Sequence, residues 1–349
     1  MTIKLGQISV GLKFKPFIVA EMSGNHNRSL QRAFKIVDAA VYAGASAIKL
    51  QTYTADTITI NSNRKEFLIK NKKNIWNGKN LYQLYKEAST PWEWHQKIFN
   101  YCKKKKILCF SAPFDESAVD FLEKLNTPVY KIASFENNHI PLIKKVSLTG
   151  KPVIISTGMA SLNEIKEAVS TAKKNGCKKI ILLKCTSSYP AKPSSSNILT
   201  IPELRKKFNC EVGLSDHTLG LGVPLASIAL GATLIEKHIT LSKSDFGVDS
   251  EFSTTPEELK TLVIQSNLAW QSVGKVKFGT ADKLENYSKK FRRSIYVIQD
   301  IKKGEKFNKF NIKVIRPANG LHPRNFFKVI GKKSKKKVIK GTPLSFNMI

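Results

Sequence analysis

The sequence has no run of eighteen uncharged apolar residues, no paired cysteines and few acids. The first absence excludes an ordinary membrane-spanning helix, and no signal-peptide pattern opens the chain, so a cytoplasmic location is expected. Five cysteines, Cys102, Cys109, Cys177, Cys185 and Cys210, occur singly, without CxxC spacing. They read as reduced thiols rather than as a disulfide framework. Asp and Glu number 26 against 58 Lys and Arg, a net charge of +32. Such a balance suits nucleic acid, an acidic membrane face or anionic substrates. Yet no finger, RNA-recognition signature or basic zipper accompanies it. The lysines are scattered in pairs (Lys72-Lys73, Lys144-Lys145, Lys173-Lys174, Lys178-Lys179), with dense runs only at Lys103 to Lys106 and Lys332 to Lys337. They read as a solvated surface, and neither nucleic acid nor membrane is expected as a partner.

What is present is a repeating pattern in a chain of 349 residues, 42% apolar. Eight short apolar runs end in polar or turn residues: 17–23, 47–53, 107–114, 129–136, 152–159, 180–190, 211–218 and 234–240. Continuous hydrophobicity suits parallel strands covered on both faces. Between them lie amphipathic segments with helix-start signals. Ser161-Leu162-Asn163-Glu164 is a capping box opening a helix that buries Ile165, Val169 and Ala172 and stops at Gly176. Thr90-Pro91-Trp92-Glu93 and Thr255-Pro256-Glu257-Glu258 repeat the device with Pro at the first helical position. Strand and helix eight times over predict an α/β fold, a (β/α)8 TIM barrel. The long interval from Tyr53 to Ile107 leaves room for an extra loop, expected over the active site. After about residue 276 the pattern breaks into short strand-like pieces punctuated by Gly and Pro, and 301–307 resembles 338–344. The expected division is a barrel over 1–276, a linker over 277–290 and a small, mostly β domain over 291–349.

The carboxyl ends of barrel strands form the active-site face. There the sequence places Glu21, then Lys49 and Gln51, Ser111, Lys131, Ser134 and Glu136, and Ser156. The later strands add Lys184, Ser187 and Tyr189, then Ser215, Asp216 and His217, and finally Glu236, Lys237 and His238. Lysines flanked by apolar residues need an anion, because an unpaired buried ammonium is costly. Lys49 and Lys131 therefore suit a phosphate or carboxylate, although a desolvated lysine, Lys184 included, could instead form a Schiff base. His217 and His238 on consecutive strands suit a shared octahedral divalent ion. No cysteine neighbours them in the pattern, so a structural zinc is not expected. His26, His95, His139 and His322 read as satisfied structural histidines.

The motifs EMSGNHN (21–27), KLQTYT (49–54), FSAPFDE (110–116), YKIASFEN (130–137), ISTGMAS (155–161), LKCTSSYP (183–190), GLSDHTLG (213–220), EKHITL (236–241) and GVDSEFS (247–253), in this order, resemble the sialic acid synthase family. FRRS (291–294) and VIRPANGL (314–321) resemble its tail. The resemblance implies a barrel followed by an antifreeze-like (SAF, β-clip) domain, in a domain-swapped homodimer. Met22-Ser23, Thr90 to His95 and Phe135-Glu136-Asn137 resemble the pseudaminic acid branch. It implies a transferase condensing phosphoenolpyruvate with the amino sugar 2,4-diacetamido-2,4,6-trideoxy-L-altrose, with cleavage of the C–O bond. N-Acetylneuraminate or legionaminate synthesis is the alternative, then a Schiff-base aldolase or a non-catalytic sugar-binding protein. Carried over by motif, Lys49, Lys131, Ser134, Ser156 and Ser215 would hold phosphoenolpyruvate, and His217 and His238 a divalent metal, Mn or Mg. Glu21 would be the acid at the reacting centre. Glu136, Tyr189 and Asp249 would contact the sugar, with Arg316 reaching in from a second subunit. Two positions depart from the neuraminate pattern: Ala112 stands where Thr is usual, and Ser187, kept in the substrate-binding set, where Asn is usual. Ser111 is the candidate to supply the missing hydroxyl.

Overall fold

The computed structural model describes residues 2–70, 76–245 and 247–349, so the Lys72-Lys73 pair lies outside the described residues. Two short strands come first, β1 (Ile3–Leu5) and β2 (Ile8–Val10), an antiparallel pair that none of the expected runs covers. Each of the eight runs then contains a strand: β3 (Phe17–Glu21), β4 (Ala47–Thr52), β5 (Leu108–Pro113), β6 (Tyr130–Ile132), β7 (Val153–Ser156), β8 (Ile180–Cys185), β9 (Glu211–Asp216) and β10 (Leu234–His238). All eight pair in parallel, and β10 against β3 closes the barrel. The strands end earlier than the runs do, because the polar residues that follow turn into the loops of the mouth.

Two apolar layers hold this unit together. Outward residues of the strands pack with the helices, as Ile48, Leu50, Ile155 and Leu182 do with Ile36, Ile98, Val169 and Leu204. Inward residues fill the barrel's amino end: Phe17, Val19, Ala47, Phe110, Ile154, Leu183 and Leu234 pack with Ile3, Leu5 and Val10 of the first hairpin, which thus plugs the barrel. These apolar side chains fill the bottom of the barrel, and its cluster of buried lysines and carboxylates lies toward the carboxyl end.

The helices of this unit are α1 (Leu30–Ala43), α2 (Ala55–Ile58), α3 (Leu81–Ala88), α4 (Trp92–Lys104), α5 (Glu116–Lys124), α6 (Ile140–Leu148), α7 (Leu162–Lys174), α8 (Thr200–Phe208), α9 (Gly222–Ala229) and α10 (Pro256–Val273). α7 opens with the capping box of Ser161 and Glu164, and α10 with that of Thr255 and Glu258. α4 departs from expectation. Pro91 rather than Thr90 occupies its N-cap, without a side-chain cap, and the Thr90 hydroxyl meets His26 Nε2 at 3.2 Å. Among the described residues no helix is long and apolar enough to cross a membrane.

The chain parts into two compact units at Met1–Gly274 and Lys275–Ile349. The second contains α11 (Lys283–Ser288), within the stretch expected as linker, and the antiparallel pair β11 (Ser294–Val297) and β12 (Ile312–Ile315), followed by α12 (Phe326–Val329). The two similar pieces of the tail lie against each other: Ile301 and Val338 exchange backbone hydrogen bonds of 2.8 and 2.9 Å. Ile295, Val297, Phe307, Ile312 and Leu344 complete a separate small core.

Candidate active site

Strand register brings the polar residues together. Glu21, the last residue of β3, pairs with His238 on one side and Lys49 on the other. Ser215 pairs with Glu236 and with Cys185. Because side chains alternate, the set Glu21, Lys49, Lys131, Ser156, Cys185, Ser215, Glu236 and His238 shares the inward face above the apolar plug. Lys49 Nζ lies 2.8 Å from Glu21 Oε2 and 3.5 Å from Glu236 Oε2; Lys131 Nζ meets Glu236 Oε1 at 3.5 Å. Ser215 Oγ donates to Glu236 Oε1 at 3.0 Å, and Gln51 Nε2 donates to Glu21 Oε1 at 3.0 Å.

These four charged groups are almost wholly shielded from solvent, so each sets the protonation of the others. Burial would lower the Lys49 ammonium, but Glu21 and Glu236 overcome it and raise it above the ordinary lysine value. Burial, with Lys49 adding to it, wins at Lys131 and lowers it despite Glu236. Glu236 resists its own burial because Lys131 and Lys49 hold it down to about 2. Burial raises Glu21, with Glu236 adding and Lys49 opposing. Lys131 is thus an under-compensated buried cation, a place where a ligand anion is favoured.

Beside this cluster the imidazoles of His217 and His238 lie with centroids 5.3 Å apart, both against Phe252. His217 Nδ1 is 2.9 Å from the Thr186 carbonyl, so it donates there and Nε2 is the nitrogen left for a ligand. His238 Nδ1 is buried without a hydrogen-bond partner, 3.8 Å from Asp249 Oδ2. Burial, reinforced by the charge of His217, keeps His238 neutral well below the usual histidine range. Burial would lower His217 too, but Cys185 and the Thr186 carbonyl raise it above the usual histidine range, so a cation taken up there would displace a proton. With His238 neutral and a carboxylate at hand, the pair fits a divalent cation with oxygen-rich coordination. Among the described residues there is no group of three or more His, Cys, Asp or Glu side chains arranged around one ion. The remaining positions would therefore fall to substrate or water.

Hydroxyls complete the mouth. Ser156 Oγ and Glu136 Oε2 are buried without hydrogen-bond partners, an unusual state for polar atoms unless a ligand meets them. Burial raises Glu136 to about 7. Ser134 Oγ and Ser187 Oγ converge on Gly158, where an added Cβ would sit 2.7 and 2.3 Å from them. The Asp249 carboxylate accepts from Ser23 Oγ, and the Tyr189 ring lies tilted against His217 with centroids 4.5 Å apart. A cavity of about 490 Å³ opens here, reached by Ser134, Glu136, Tyr189, His238 and Asp249.

With this arrangement in view, the comparisons with known proteins become specific. Residues 36–278 match the NeuB family profile, and residues 292–349 match that of the SAF domain. The chain belongs to the NeuB family. It is 42% identical to the pseudaminic acid synthase of Campylobacter jejuni subsp. jejuni serotype O:2, over 95% of each chain. It is 41% identical to that of Helicobacter pylori, over 95% of this chain and 96% of the relative. The crystal structure of N-acetylneuraminic acid (sialic acid) synthetase from Leptospira borgpetersenii serovar Hardjo-bovis, in complex with citrate, superposes with a TM-score of 0.73 at 33% identity, covering 82% of this chain and 95% of that one.

Several polar residues of this NeuB-family chain face away from the mouth. Ser111 Oγ bonds Thr52 Oγ1 at 2.6 Å, and Thr52 bonds His95 of α4 at 2.9 Å, so Ser111 lies in the sheet–helix layer and cannot replace the hydroxyl absent at Ala112. Asp216 and Lys237 pair with each other at 2.5 Å, and Lys184 donates to the Cys185 carbonyl. Conversely, Cys185 does neighbour the histidines, with Sγ 3.9 Å from His217 Nδ1, against the expectation drawn from spacing. That nitrogen is already committed to Thr186. Sequence spacing alone could not reveal this, because the contact joins β8 to the end of β9. Ser23 belongs with the site through Asp249, while Gln51 reaches both Glu21 and Ser23; Ser23 was visible only as part of the first polar motif. Arg316 follows β12 in the second unit and is exposed there.

Proposed function

We propose that the protein is a pseudaminic acid synthase, condensing phosphoenolpyruvate with 2,4-diacetamido-2,4,6-trideoxy-L-altrose. The observation that carries this reading is the pair of buried lysines, Lys49 and Lys131, sharing Glu236 beside the paired imidazoles of His217 and His238. The named relatives support the choice of sugar.

Lys49 and Lys131 receive the phosphate and carboxylate of phosphoenolpyruvate, with Ser134, Ser156, Ser187 and Ser215 bonding their oxygens. The enol phosphate more than restores the charge compensation that Lys131 lacks, and its C3 is held toward the sugar. His217 and His238 hold the divalent cation, Mn or Mg, which when bound supplies Lewis acidity at the sugar's aldehyde oxygen. Glu136, Tyr189 and Asp249 orient the open-chain sugar, and Arg316 of the partner subunit completes the seat in a swapped homodimer. As C3 bonds to the carbonyl carbon, positive charge develops at C2 of the phosphoenolpyruvate unit. Glu21, raised by burial yet held by Lys49 and Gln51, faces that charge and takes the proton of the water that adds to C2. The tetrahedral intermediate then breaks its C–O bond and releases phosphate.

Phosphate release measured side by side with the altrose derivative, N-acetylmannosamine and 2,4-diacetamido-mannose tests the reading. The altrose derivative is expected to turn over fastest; EDTA abolishes turnover and Mn or Mg restores it. Borohydride added with substrate leaves no lysine adduct, whereas a trapped adduct would replace the synthase with an aldolase.

A further inference from the structure

The strap between β4 and α4 supplies a wall of the cavity, and that wall is mostly apolar. Ile58, Ile69, Leu81 and Leu84 give it a purely aliphatic part, to which Tyr53 and Tyr85 add rings carrying one hydroxyl each, whereas Ser23, Gln51, Ser134, Glu136, His238 and Asp249 contribute polar lining from outside the strap. The described parts of the strap are held by specific bonds. Thr54 and Thr57 form a capping box on α2, and Asn80 accepts from the Tyr82 N–H while donating to the Ser62 carbonyl at 2.6 Å. Tyr82 reaches Asp56 at 3.0 Å, and Trp76 Nε1 donates to the Val248 carbonyl at 2.8 Å, pinning the strap to the loop after β10. The first loop closes against it as well: a Cβ on Gly24 would lie 2.4 Å from Val248 and 3.2 Å from Ala88.

We propose that this wall selects sugars by their methyl groups, an inference that rests on the synthase reading above. A sugar hydroxylated throughout would press hydroxyls against aliphatic side chains that offer no hydrogen bond, and burying an unpaired hydroxyl is costly. An acetamido methyl or a deoxygenated C6 fills the same space without that loss, and one methyl in an apolar pocket discriminates by about 10- to 200-fold. The strap is then the specificity element, and the polar lining supplies orientation common to all amino-sugar substrates.

The test compares kcat/KM for three acceptors: the diacetamido trideoxy sugar, its counterpart with a hydroxyl on C6, and its counterpart with a free 4-amino group. The wild type is expected to prefer the first by about tenfold or more over at least one of the others, and the disfavoured one identifies which methyl is read. In Ile58→Thr and Leu81→Gln, both at partly buried positions, that preference falls about tenfold, with the KM for phosphoenolpyruvate and the melting temperature unchanged. Ile58→Val and Leu81→Met keep the preference and guard against a folding artefact. Preferences within twofold of wild type in both polar variants overturn the inference while leaving the synthase reading intact. A wild type that releases no phosphate with any of the three overturns the synthase reading, and the inference with it.

Discussion

Gly158 has no left-handed torsion to account for it; the position needs the absence of a side chain. A Cβ there would collide with Ser187 Oγ at 2.3 Å and with Ser134 Oγ and Cβ at 2.7 and 3.1 Å. Both hydroxyls are short side chains that can rotate, so Gly158→Ala is expected to keep the fold and spoil the seat. Two displaced rotamers at about 0.5–1.5 kcal/mol each correspond to a roughly tenfold rise in the KM for phosphoenolpyruvate. Steady-state kinetics with a thermal melt checks this; an unchanged KM would remove Ser134 and Ser187 from the anion site. Gly158 also marks what the sequence reading could and could not find. Lys49, Lys131, Ser156 and His238 could be set at the mouth because each stands towards the carboxyl end of an apolar run, but the same reading set Ser111, Lys184 and Lys237 beside them, and only strand register separates the inward side chains from the outward ones. The seat around Gly158 joins the ends of β6, β7 and β8, and no spacing within one segment carries that information.

α4 is fastened by buried imidazoles rather than by a cap. His95 joins Thr52 of β4 at 2.9 Å and the Pro91 carbonyl at 3.2 Å, while His26 in the first loop holds Thr90. Burial pushes both rings down to about 4, with the Arg28 charge adding at His26. The sign follows directly. Unfolded chain takes up protons near pH 6.5 that the native state refuses until about pH 4, so stability is full above 6.5 and is lost as pH falls toward 4. Between pH 7 and 5 each histidine is expected to contribute a loss of about 2 kcal/mol. Urea denaturation at the two pH values, with His95→Gln beside wild type, should show a smaller pH difference in the variant; equal differences would show that His95 protonates freely in the fold. Elements of this size were mostly readable. Each of the eight short apolar runs contains a strand, since strands covered on both faces are continuously hydrophobic. The hairpin of β1 and β2 escaped because three-residue strands are too short for any period to register, and at α4 a capping motif in sequence does not show that the Thr90 hydroxyl turns to His26 in the first loop.

At the scale of the molecule, the two units have separate cores, and Arg316 lies in the smaller one. If the homodimer is swapped, mixing Arg316→Ala with His238→Ala gives one intact site in each mixed dimer. Each variant alone is expected to lose nearly all turnover with the altrose derivative, and the mixture to recover up to about a quarter of wild-type activity. No recovery in dimers shown to have exchanged subunits would place Arg316 in its own chain's site or outside any site. The order of the domains was legible from the change in pattern near residue 276, whereas the pairing of 301–307 with 338–344 showed in sequence only as a likeness, because self-association of two similar pieces leaves no mark beyond their similarity. The plug formed by Ile3, Leu5 and Val10 carries one more implication. A barrel stoppered at its base is filled from its mouth, so whatever settles deepest arrives first. On the synthase reading, the three-carbon reactant lies at the floor and the sugar above it, making the sugar the cork that keeps bulk water from the enol phosphate until carbon joins carbon.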